Sequence, residues 1–445
     1  MTRHLLELSA ATVVLFAGCL DDNKQSIDAE VTPKAVVKRA ELPPMVEAAK
    51  ETTGALADKL MQVKLPAPKS GEAKTFKFGK GEYEREAWVA KLPESGQLVT
   101  VAYANGKIFV GGGFESSSMY ALDAKTGKRQ WVSYNLADPG PTAAVVDQDE
   151  LAFDTYSCSL AVLTASTGKV LWQKWTGTET PTQPAFTKDY VIAPHPTDGG
   201  YALSAYKRKT GADVWASAID GHGMTAPVVV GDMIYITTTN GTLYKIDIKG
   251  KRQWVQRINA LSAPWIDGDE VHIAVRDQGK EAQVVLSAVD GKRLRTVSTA
   301  KAVGDAPGED TVAIWSYEGS RPVVKDGLRF VATGERVEAR DARTGELRWE
   351  RTHTTGSGSR KVTSVITAGP LAVVTSRDGH VVAFDAKTGT KRFGYDFDAQ
   401  ITAQPVIAEG WMYVATARGQ VFAFDLGNKA IDGWHMWGGN AQHNL

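Results

Sequence analysis

The sequence contains very little cysteine and no excess of charge of either sign. Only two of its 445 residues, Cys19 and Cys158, are cysteines, and its 51 basic side chains balance 51 acidic ones. Two thiols are too few for a disulfide-stapled scaffold. A balanced charge provides no general attraction to nucleic acid or to an anionic surface. These absences exclude the small disulfide-rich folds and predict no nucleic-acid partner.

The sequence also lacks the spaced motifs that accompany metal, phosphate and nucleophilic chemistry. No two of its eight histidines have the i, i+4 spacing of a zinc-binding helix, and residues 267–269 lack the rest of a calcium loop. No Gly-x-Ser-x-Gly elbow occurs, and the three glycines at 111–113 are not followed by the helix that dinucleotide binding needs. His195, His222 and His272 are interpreted as turn or strand-edge residues. No catalytic residue, cofactor or metal ligand is predicted.

The N-terminal residues have the pattern of an export signal. Arg3 precedes an apolar run over residues 8–16, which meets two small residues directly before Cys19. This order is typical of a signal peptide at residues 1–18, and the run is too short to span a bilayer. Residues 16–19, Phe-Ala-Gly-Cys, resemble a bacterial lipobox, in which the cysteine is lipidated and becomes the first residue. An ordinary cleaved signal with an incidental cysteine is the alternative.

Residues 19–79 are predicted to be the lipidated cysteine and a flexible tether. They are rich in Lys, Glu, Ala and Pro and contain no aromatic residue before Phe76. Such a composition cannot build a core of its own. Residues 44–63 have a helical composition, and a docked helix there is the alternative. In enterobacterial lipoproteins an Asp after the lipidated cysteine favours the inner membrane, so Leu20 favours an outer-membrane location facing the periplasm.

A repeat of about 40 residues, a period typical of propellers and solenoids, decides the fold class. Residues 120–131, Tyr-Ala-Leu-Asp-Ala-Lys-Thr-Gly-Lys-Arg-Gln-Trp, recur with variations at 161–172, 204–215, 243–254, 337–349 and 381–393. A further copy at 284–297 has Asp290-Gly291 at its turn and an aliphatic residue in place of Trp. The aromatic residues that close the copies, with a leading one before the first unit, are Trp88, Trp131, Trp172, Trp215, Trp254, Trp349 and Phe393.

Each unit divides into short strands separated by turns. In the unit at 227–254, alternating apolar residues predict a strand over 227–237, which an Asn240-Gly241 turn connects to a strand over 242–246. Strands open in the same way near Val101, Thr142, Pro184, Pro227, Pro264, Pro322, Thr367 and Pro405. Four short antiparallel strands per unit, arranged radially, protect the sheet edges. We therefore predict an all-β fold, an eight-bladed β-propeller over residues 80–445, whose ring closes when residues 85–92 complete the last blade.

The repeats of the form Ala-Leu-Asp-x-x-Thr-Gly-x-x-x-Trp resemble those of the PQQ-like β-propeller repeat family, over about residues 80–440. Residues 433–443 also resemble a tail segment of such proteins, in which Trp434 and Trp437 are interpreted as covering a blade edge. The resemblance implies two classes of function. Quinoprotein dehydrogenases hold pyrroloquinoline quinone beside Ca²⁺ in the central funnel, usually under a disulfide of adjacent cysteines. Envelope lipoproteins of the family act as scaffolds in outer-membrane protein assembly.

The scaffold is the preferred hypothesis because the disulfide of adjacent cysteines cannot form here and only one obvious insertion, residues 298–320, interrupts the blades. We expect a non-enzyme without a cofactor, a monomer within a larger complex, whose partners are other envelope proteins such as the β-barrel assembly machinery. Trp315 and Tyr317 in the insertion are the candidate partner contact. Packing of these two rings against a blade is the alternative. A quinoprotein enzyme and a cell-surface sensor or carbohydrate-binding propeller are the other hypotheses.

Overall fold

The structure, a computed structural model, describes residues 60–93, 95–133, 138–156, 159–177, 182–301, 321–333, 336–352, 362–401 and 403–445. In these residues the chain forms 34 β-strands and one short 3-10 helix, Gly81–Tyr83. None of the helical segments that the structure describes is long and apolar enough to cross a membrane.

Three N-terminal strands precede the first blade: β1 (Met61–Val63), β2 (Ala73–Phe78) and β3 (Arg85–Lys91). The strands of blades 1 to 4, from innermost to outermost, are β4 (Ala102–Ala104), β5 (Lys107–Gly111), β6 (Met119–Asp123) and β7 (Arg129–Ser133); β8 (Val145–Asp147), β9 (Glu150–Phe153), β10 (Ser159–Thr164) and β11 (Val170–Trp175); β12 (Ala185–Phe186), β13 (Tyr190–Thr197), β14 (Gly200–Lys207) and β15 (Asp213–Ile219); β16 (Val228–Val230), β17 (Met233–Thr237), β18 (Thr242–Asp247) and β19 (Arg252–Arg257).

The strands of blades 5 to 8 follow in the same order: β20 (Trp265–Asp267), β21 (Glu270–Asp277), β22 (Lys280–Ser287) and β23 (Arg293–Lys301); β24 (Val323–Lys325), β25 (Leu328–Thr333), β26 (Arg336–Asp341) and β27 (Leu347–Thr352); β28 (Ile366–Ala368), β29 (Leu371–Thr375), β30 (His380–Asp385) and β31 (Lys391–Phe397); β32 (Val406–Ala408), β33 (Trp411–Ala415) and β34 (Gln420–Asp425). The first strands of most successive blades contact one another, so they surround the central axis. The predicted eight-bladed, all-β propeller is confirmed.

The ring closes through the N-terminus, as predicted. β3 pairs antiparallel with β34 and so becomes the fourth strand of blade 8. Trp88 of β3 lies opposite Ala423, just as Trp131 of β7 lies opposite Ala121 within blade 1. A strand before the first blade and the last strand of the ring thus share one sheet, and the first blade packs against the last.

Two further strands lie N-terminal to the predicted propeller boundary. β2 pairs antiparallel with β3 as a fifth strand of blade 8, and β1 pairs parallel with β31 as a fifth strand of blade 7. The boundary that we placed at residue 79 therefore lies too far along the chain. Pairing is favoured there because Val63 is buried and the Phe78 ring packs edge-on against Phe424 at 5.8 Å. Residues 44–59 lie outside the described part of the chain.

The core lies between neighbouring blades. Strands in the middle of a blade are covered on both faces, so β30, for example, is buried at five of its six residues. The outermost strands β11 and β15 consist mainly of half-buried and exposed residues, because only one of their faces meets the next blade. This burial pattern leaves the turns at one end of the blades and the loops at the other end as the accessible surfaces.

Candidate functional site

A tryptophan joins each of six blades to the next. Trp131, in the outermost strand of blade 1, donates an indole hydrogen bond of 3.0 Å to the Ala165 carbonyl oxygen of blade 2. A Cβ atom at Gly168 would lie only 2.6 Å from the same ring, and this residue has φ +74°, so glycine is required on both counts. The same indole hydrogen bond, of 2.6–3.1 Å, recurs at six interfaces: Trp88 to Ala124, Trp131 to Ala165, Trp172 to Arg208, Trp215 to Ile248, Trp254 to Ala288 and Trp349 to Ala386.

Two blades depart from this pattern. In blade 5 the register pairs Val285 with Arg295, in the place where blade 4 pairs Lys245 with Trp254. The predicted aliphatic residue, Val297, packs against the turn glycine Gly345, 3.3 Å from the place that a Cβ atom would take there, but it does not hold the register position of Trp. Arg295 is the replacement, and its Nη2 donates to the carbonyl oxygen of Ala342 at 2.7 Å. In blade 7 Phe393 holds the position and stacks on Tyr395, with ring centroids 5.1 Å apart.

The interface between blades 5 and 6 is polar around Arg295. Its guanidinium donates two hydrogen bonds of 2.8 Å to the Glu270 carboxylate, from which His272 lies 3.4 Å away. Burial alone would raise the pKa of Glu270, but its contacts with His272 and Arg295 outweigh burial and hold that pKa at about 2. Burial lowers the pKa of His272. His272 is fully buried inside β21, so its predicted place at a turn or strand edge is wrong.

Buried charge continues from Arg295 across this interface. The Arg329 guanidinium of blade 6 is fully buried and donates to Gln283 of blade 5. The Glu338 carboxylate, 2% exposed, accepts hydrogen bonds from Ser298 of blade 5 at 2.9 Å and from Arg340 at 3.0 Å. These polar contacts add to the hydrogen bond of Arg295 in joining blades 5 and 6.

The C-terminal residues lie along the inner edges of the blades. Four innermost strands each donate one backbone N–H group, at an equivalent position of the strand, to a carbonyl oxygen of this tail at 2.6–3.0 Å. The pairs are Tyr103 to His435, Phe186 to Ala441, Val229 to Gln442 and Ile407 to Trp434. The same group of Ile266 donates to the side chain of Asn444 at 2.8 Å. Because these strands surround the axis, the tail lies in the central channel.

Aromatic and cationic side chains fix the tail in that position. Trp434 is fully buried and stacks on Trp265 of blade 5, with ring centroids 6.1 Å apart and planes at 9°. The Arg321 guanidinium lies 5.1 Å from the Trp265 ring and 5.3 Å from the Trp437 ring, and it donates to the His443 carbonyl oxygen. Burial lowers the pKa of His443 to about 4. The two tryptophans thus cover blade edges, as interpreted from the sequence, and these are the inner edges that surround the channel.

The residues around the channel do not fit a quinone held beside calcium. In the described part of the chain, no three His, Cys, Asp or Glu side chains come close enough together to hold a metal ion. The tail also takes up backbone donors of five of the eight innermost strands. Calcium needs several oxygen ligands, usually with carboxylates among them. No step of chemistry is therefore assigned to this cofactor.

Two exposed aromatic rings lie at the loop end of blades 1 and 2. Phe114 follows β5 and Tyr156 follows β9, and their rings meet edge to face at 4.4 Å with 44% and 43% of each residue exposed. The backbone of Gly140 donates to Ser116, and that of Tyr156 donates to Pro139, so three loops support the pair. Sequence analysis missed these rings. The available signal was an aromatic residue directly after three glycines at a strand end.

Several predicted residues fall outside the described part of the chain. They are the lipidation candidate Cys19, the second cysteine Cys158, and the candidate partner contacts Trp315 and Tyr317. The signature residues are all described, and each lies in the fourth strand of a blade, where it supports the ring.

The repeat architecture matches a known family. The family model described as outer membrane protein assembly factor BamB matches residues 81–194, 160–327, 199–371 and 333–441, which together span 81–441. The chain belongs to this BamB-like family of PQQ-repeat propellers. Membership accounts for the repeat, the ring and its closure, and the predicted resemblance is confirmed.

Relatives of both functional classes align with this BamB-like chain. It is 28% identical over 182 residues to outer membrane protein assembly factor BamB of Burkholderia pseudomallei, covering 40% of this chain and 43% of the relative. It is 37% identical over 90 residues to quinoprotein ethanol dehydrogenase of Pseudomonas aeruginosa, covering 18% and 14%. The chain thus spans less than half the length of either relative.

Solved structures share the fold at low identity. BamB from Moraxella catarrhalis superposes with a TM-score of 0.58 at 17% identity, covering 79% of this chain and all of the other. Quinohemoprotein alcohol dehydrogenase from Comamonas testosteroni superposes with a TM-score of 0.56 at 15% identity, covering 75% of each chain. These likenesses establish the propeller and leave its activity to be argued from the residues.

Proposed function

We propose that this protein is a lipid-anchored envelope scaffold that binds other proteins during outer-membrane protein assembly, without enzymatic activity. The observation that carries the proposal is the family match over residues 81–441. A channel filled by the chain's own tail supports it, because a filled channel leaves the ends of the blades as the binding surfaces.

The proposed anchor is a lipid on Cys19. The segment Phe-Ala-Gly-Cys at residues 16–19 supports it. The next described strand is β1, at Met61–Val63, so about 40 residues connect the lipid to the propeller and would reach on the order of 130 Å if extended. Such a connection holds the blades within reach of partners in or near the membrane.

The proposed partner contact on the described surface is the Phe114–Tyr156 pair. Exposed aromatic residues on supported loops are typical anchors of protein interfaces, since they bury a large apolar area at little cost in side-chain entropy. The loops that carry the two rings are joined by backbone hydrogen bonds. We expect them to insert into an apolar pocket of the partner.

The relatives named quinoprotein ethanol dehydrogenase make a redox enzyme the second candidate. The residues that the structure describes weigh against it, because they provide no group of metal ligands. We therefore propose that this chain uses the propeller for binding alone.

The proposal is tested by affinity capture of the tagged, full-length protein from its own membranes in mild detergent, followed by mass spectrometry. We expect proteins of the β-barrel assembly machinery to co-purify. The double substitution Phe114→Ala and Tyr156→Ala should reduce their recovery, while Tyr83→Ala, which removes a residue 62% exposed on the N-terminal segment, should not.

Two outcomes would contradict the proposal. Recovery of the protein without any envelope partner would argue against a scaffold, and recovery unaffected by the double substitution would exclude the aromatic pair as the contact. The anchor is checked in the same cells, because Cys19→Ser should move the protein from the membrane fraction to the soluble fraction.

A further inference from the structure

An open groove of about 450 Å³ lies between blades 3 and 4, at the end of the ring that carries the β-turns. This volume lies in the range of small-ligand pockets. Two half-buried aromatic rings form its floor, and four exposed charged side chains form its rim: Tyr190 and Trp215, and Lys188, Asp189, Asp232 and Lys249. The scaffold proposal uses none of these residues.

A glycine keeps the groove open on one side. Gly231 stands at the turn between the first two strands of blade 4, where blades 1, 2 and 8 carry Asn105, Gln148 and Glu409 at similar positive φ. A Cβ atom at Gly231 would meet no other atom within 4 Å. The neighbouring interface between blades 2 and 3 is instead filled by Arg208, which pairs with acidic side chains of blade 2.

A shortened turn opens the groove on the other side. In blade 4 the turn between the last two strands is Asp-Ile-Lys-Gly, residues 247–250, one residue shorter than Asp-Ala-Lys-Thr-Gly at 123–127. Trp215 still donates to the Ile248 carbonyl oxygen at 2.9 Å, so the ring on the floor is held in one orientation. The groove is thus preformed, which lowers the entropic cost of binding.

The chemistry of the groove selects a neutral ligand that has both apolar and polar faces. Two ammonium groups and two carboxylates on the rim cancel in charge, so neither an anion nor a cation gains net attraction. Lysine donates and aspartate accepts hydrogen bonds, while the rings offer apolar faces. A sugar ring has C–H faces that pack on aromatic rings and hydroxyl groups that both donate and accept. We propose that this groove binds a neutral saccharide of one or two rings.

The test uses calorimetric titration of the full-length protein, in a detergent without a sugar headgroup, with maltose, cellobiose and N,N′-diacetylchitobiose. We expect at least one of them to bind. Gly231→Gln should weaken binding about tenfold or more by placing a side chain in the groove. It should fold normally, because Gln148 occupies the equivalent turn position at the same φ of 56°.

The matched control is Gly268→Gln, in the equivalent turn of blade 5. That glycine has φ +58° and open space around it, but it does not line the groove. Binding of a disaccharide that Gly231→Gln weakens and Gly268→Gln leaves unchanged supports the proposal. Three results would overturn it: no binding of any of the three sugars, equal effects of the two substitutions, or binding of a neutral tyrosine-containing tripeptide in place of the sugars with the same dependence on residue 231.

Discussion

Six interfaces of the ring are held by a tryptophan, whereas the interface between blades 5 and 6 is held by an arginine at the same strand position. Both side chains donate to the backbone carbonyl oxygen of the residue after the turn's first position. The tryptophan also packs its ring on the turn glycine, while Arg295 brings a charge that recruits Glu270 and His272. The same interface geometry between blades can thus be held by an apolar tryptophan or by a charged arginine.

The two kinds of interface together define what the repeat requires. A side-chain donor must reach the backbone carbonyl oxygen in the turn of the next blade, and a side chain must be able to pack closely against the glycine of that turn. A tryptophan is one residue that meets both requirements. The arginine interface carries an energetic cost, because burying a charge is unfavourable unless its partners are in place. We therefore expect the two kinds of interface to respond differently to substitution and to pH.

The largest effect is expected at the tryptophan that closes the ring. Trp88→Ala removes a fully buried ring and its 2.9 Å hydrogen bond to Ala124. The free energy of unfolding should fall by about 3–5 kcal/mol, measured by urea denaturation. Trp175→Ala is the matched control, since Trp175 is 64% exposed and its loss should change stability by less than about 0.5 kcal/mol. Equal losses of stability in the two variants would contradict the role of Trp88 in holding the ring closed.

A smaller loss is expected at the arginine interface. Arg295→Met removes two hydrogen bonds to Glu270 and one to Ala342, so unfolding should become easier by about 2–3 kcal/mol. Arg295→Trp should not restore stability, because Glu270 loses its guanidinium partner, whereas adding Glu270→Leu to Arg295→Trp should recover most of it. A single Arg295→Trp variant as stable as the wild type would show that arginine and tryptophan are interchangeable at this interface.

The arginine interface should also respond to acid. The pKa of Glu270 is lowered in the folded state to about 2, so its contribution to stability is present above the ordinary glutamate pKa and is lost as pH falls through about 2. The lowered pKa of His272 acts in the same direction, because charging this buried ring below its ordinary pKa opposes folding. Thermal melting of wild type and Glu270→Gln should differ at pH 7 and converge towards pH 2. A constant difference across this range would contradict the assignment.

The smallest effect is expected at the turns. The Oδ1 atom of Asp123 accepts hydrogen bonds of 3.1 and 2.9 Å from the backbone of Lys125 and Thr126, and Asp123→Ala should cost about 1 kcal/mol in urea denaturation. Blade 5 uses Ser287 at this position, and its hydroxyl accepts the equivalent bonds at 3.2 and 3.3 Å. Asp123→Ser should therefore retain most of the stability. Serine as damaging as alanine would show that the carboxylate is needed.

The fold was predictable because the repeat is local. The turn, its glycine and the closing aromatic residue lie within about a dozen residues of one another in most units, and the early Trp88 predicted the closure. Arg295 follows the turn glycine Gly291 by four residues, just as Trp131 follows Gly127, so the spacing reaches it; it was missed because a charged side chain was not expected in the place of tryptophan. β1 and β2 were missed because residues 60–79 were interpreted by composition alone; β1 pairs with β31, more than 300 residues away, whereas β2 pairs with the nearby β3.

The candidate site was less predictable than the fold. The position of the tail depends on backbone N–H groups of five blades, and any sequence offers such groups. The Phe114–Tyr156 pair depends on how three loops meet, and the groove at Gly231 depends on the absence of a side chain. Features made by contacts between distant loops or by missing atoms leave little trace in a single sequence.

We propose that this BamB-like propeller binds proteins and does not catalyse quinone-dependent oxidation. The most direct measurement is an absorption spectrum of the full-length protein purified from its own membranes, with a dye-linked alcohol oxidation assay after addition of pyrroloquinoline quinone and Ca²⁺. The account predicts no quinone absorption and no dye reduction above that of a heat-denatured sample. A quinone chromophore in proportion to the protein, with alcohol-dependent dye reduction, would contradict it.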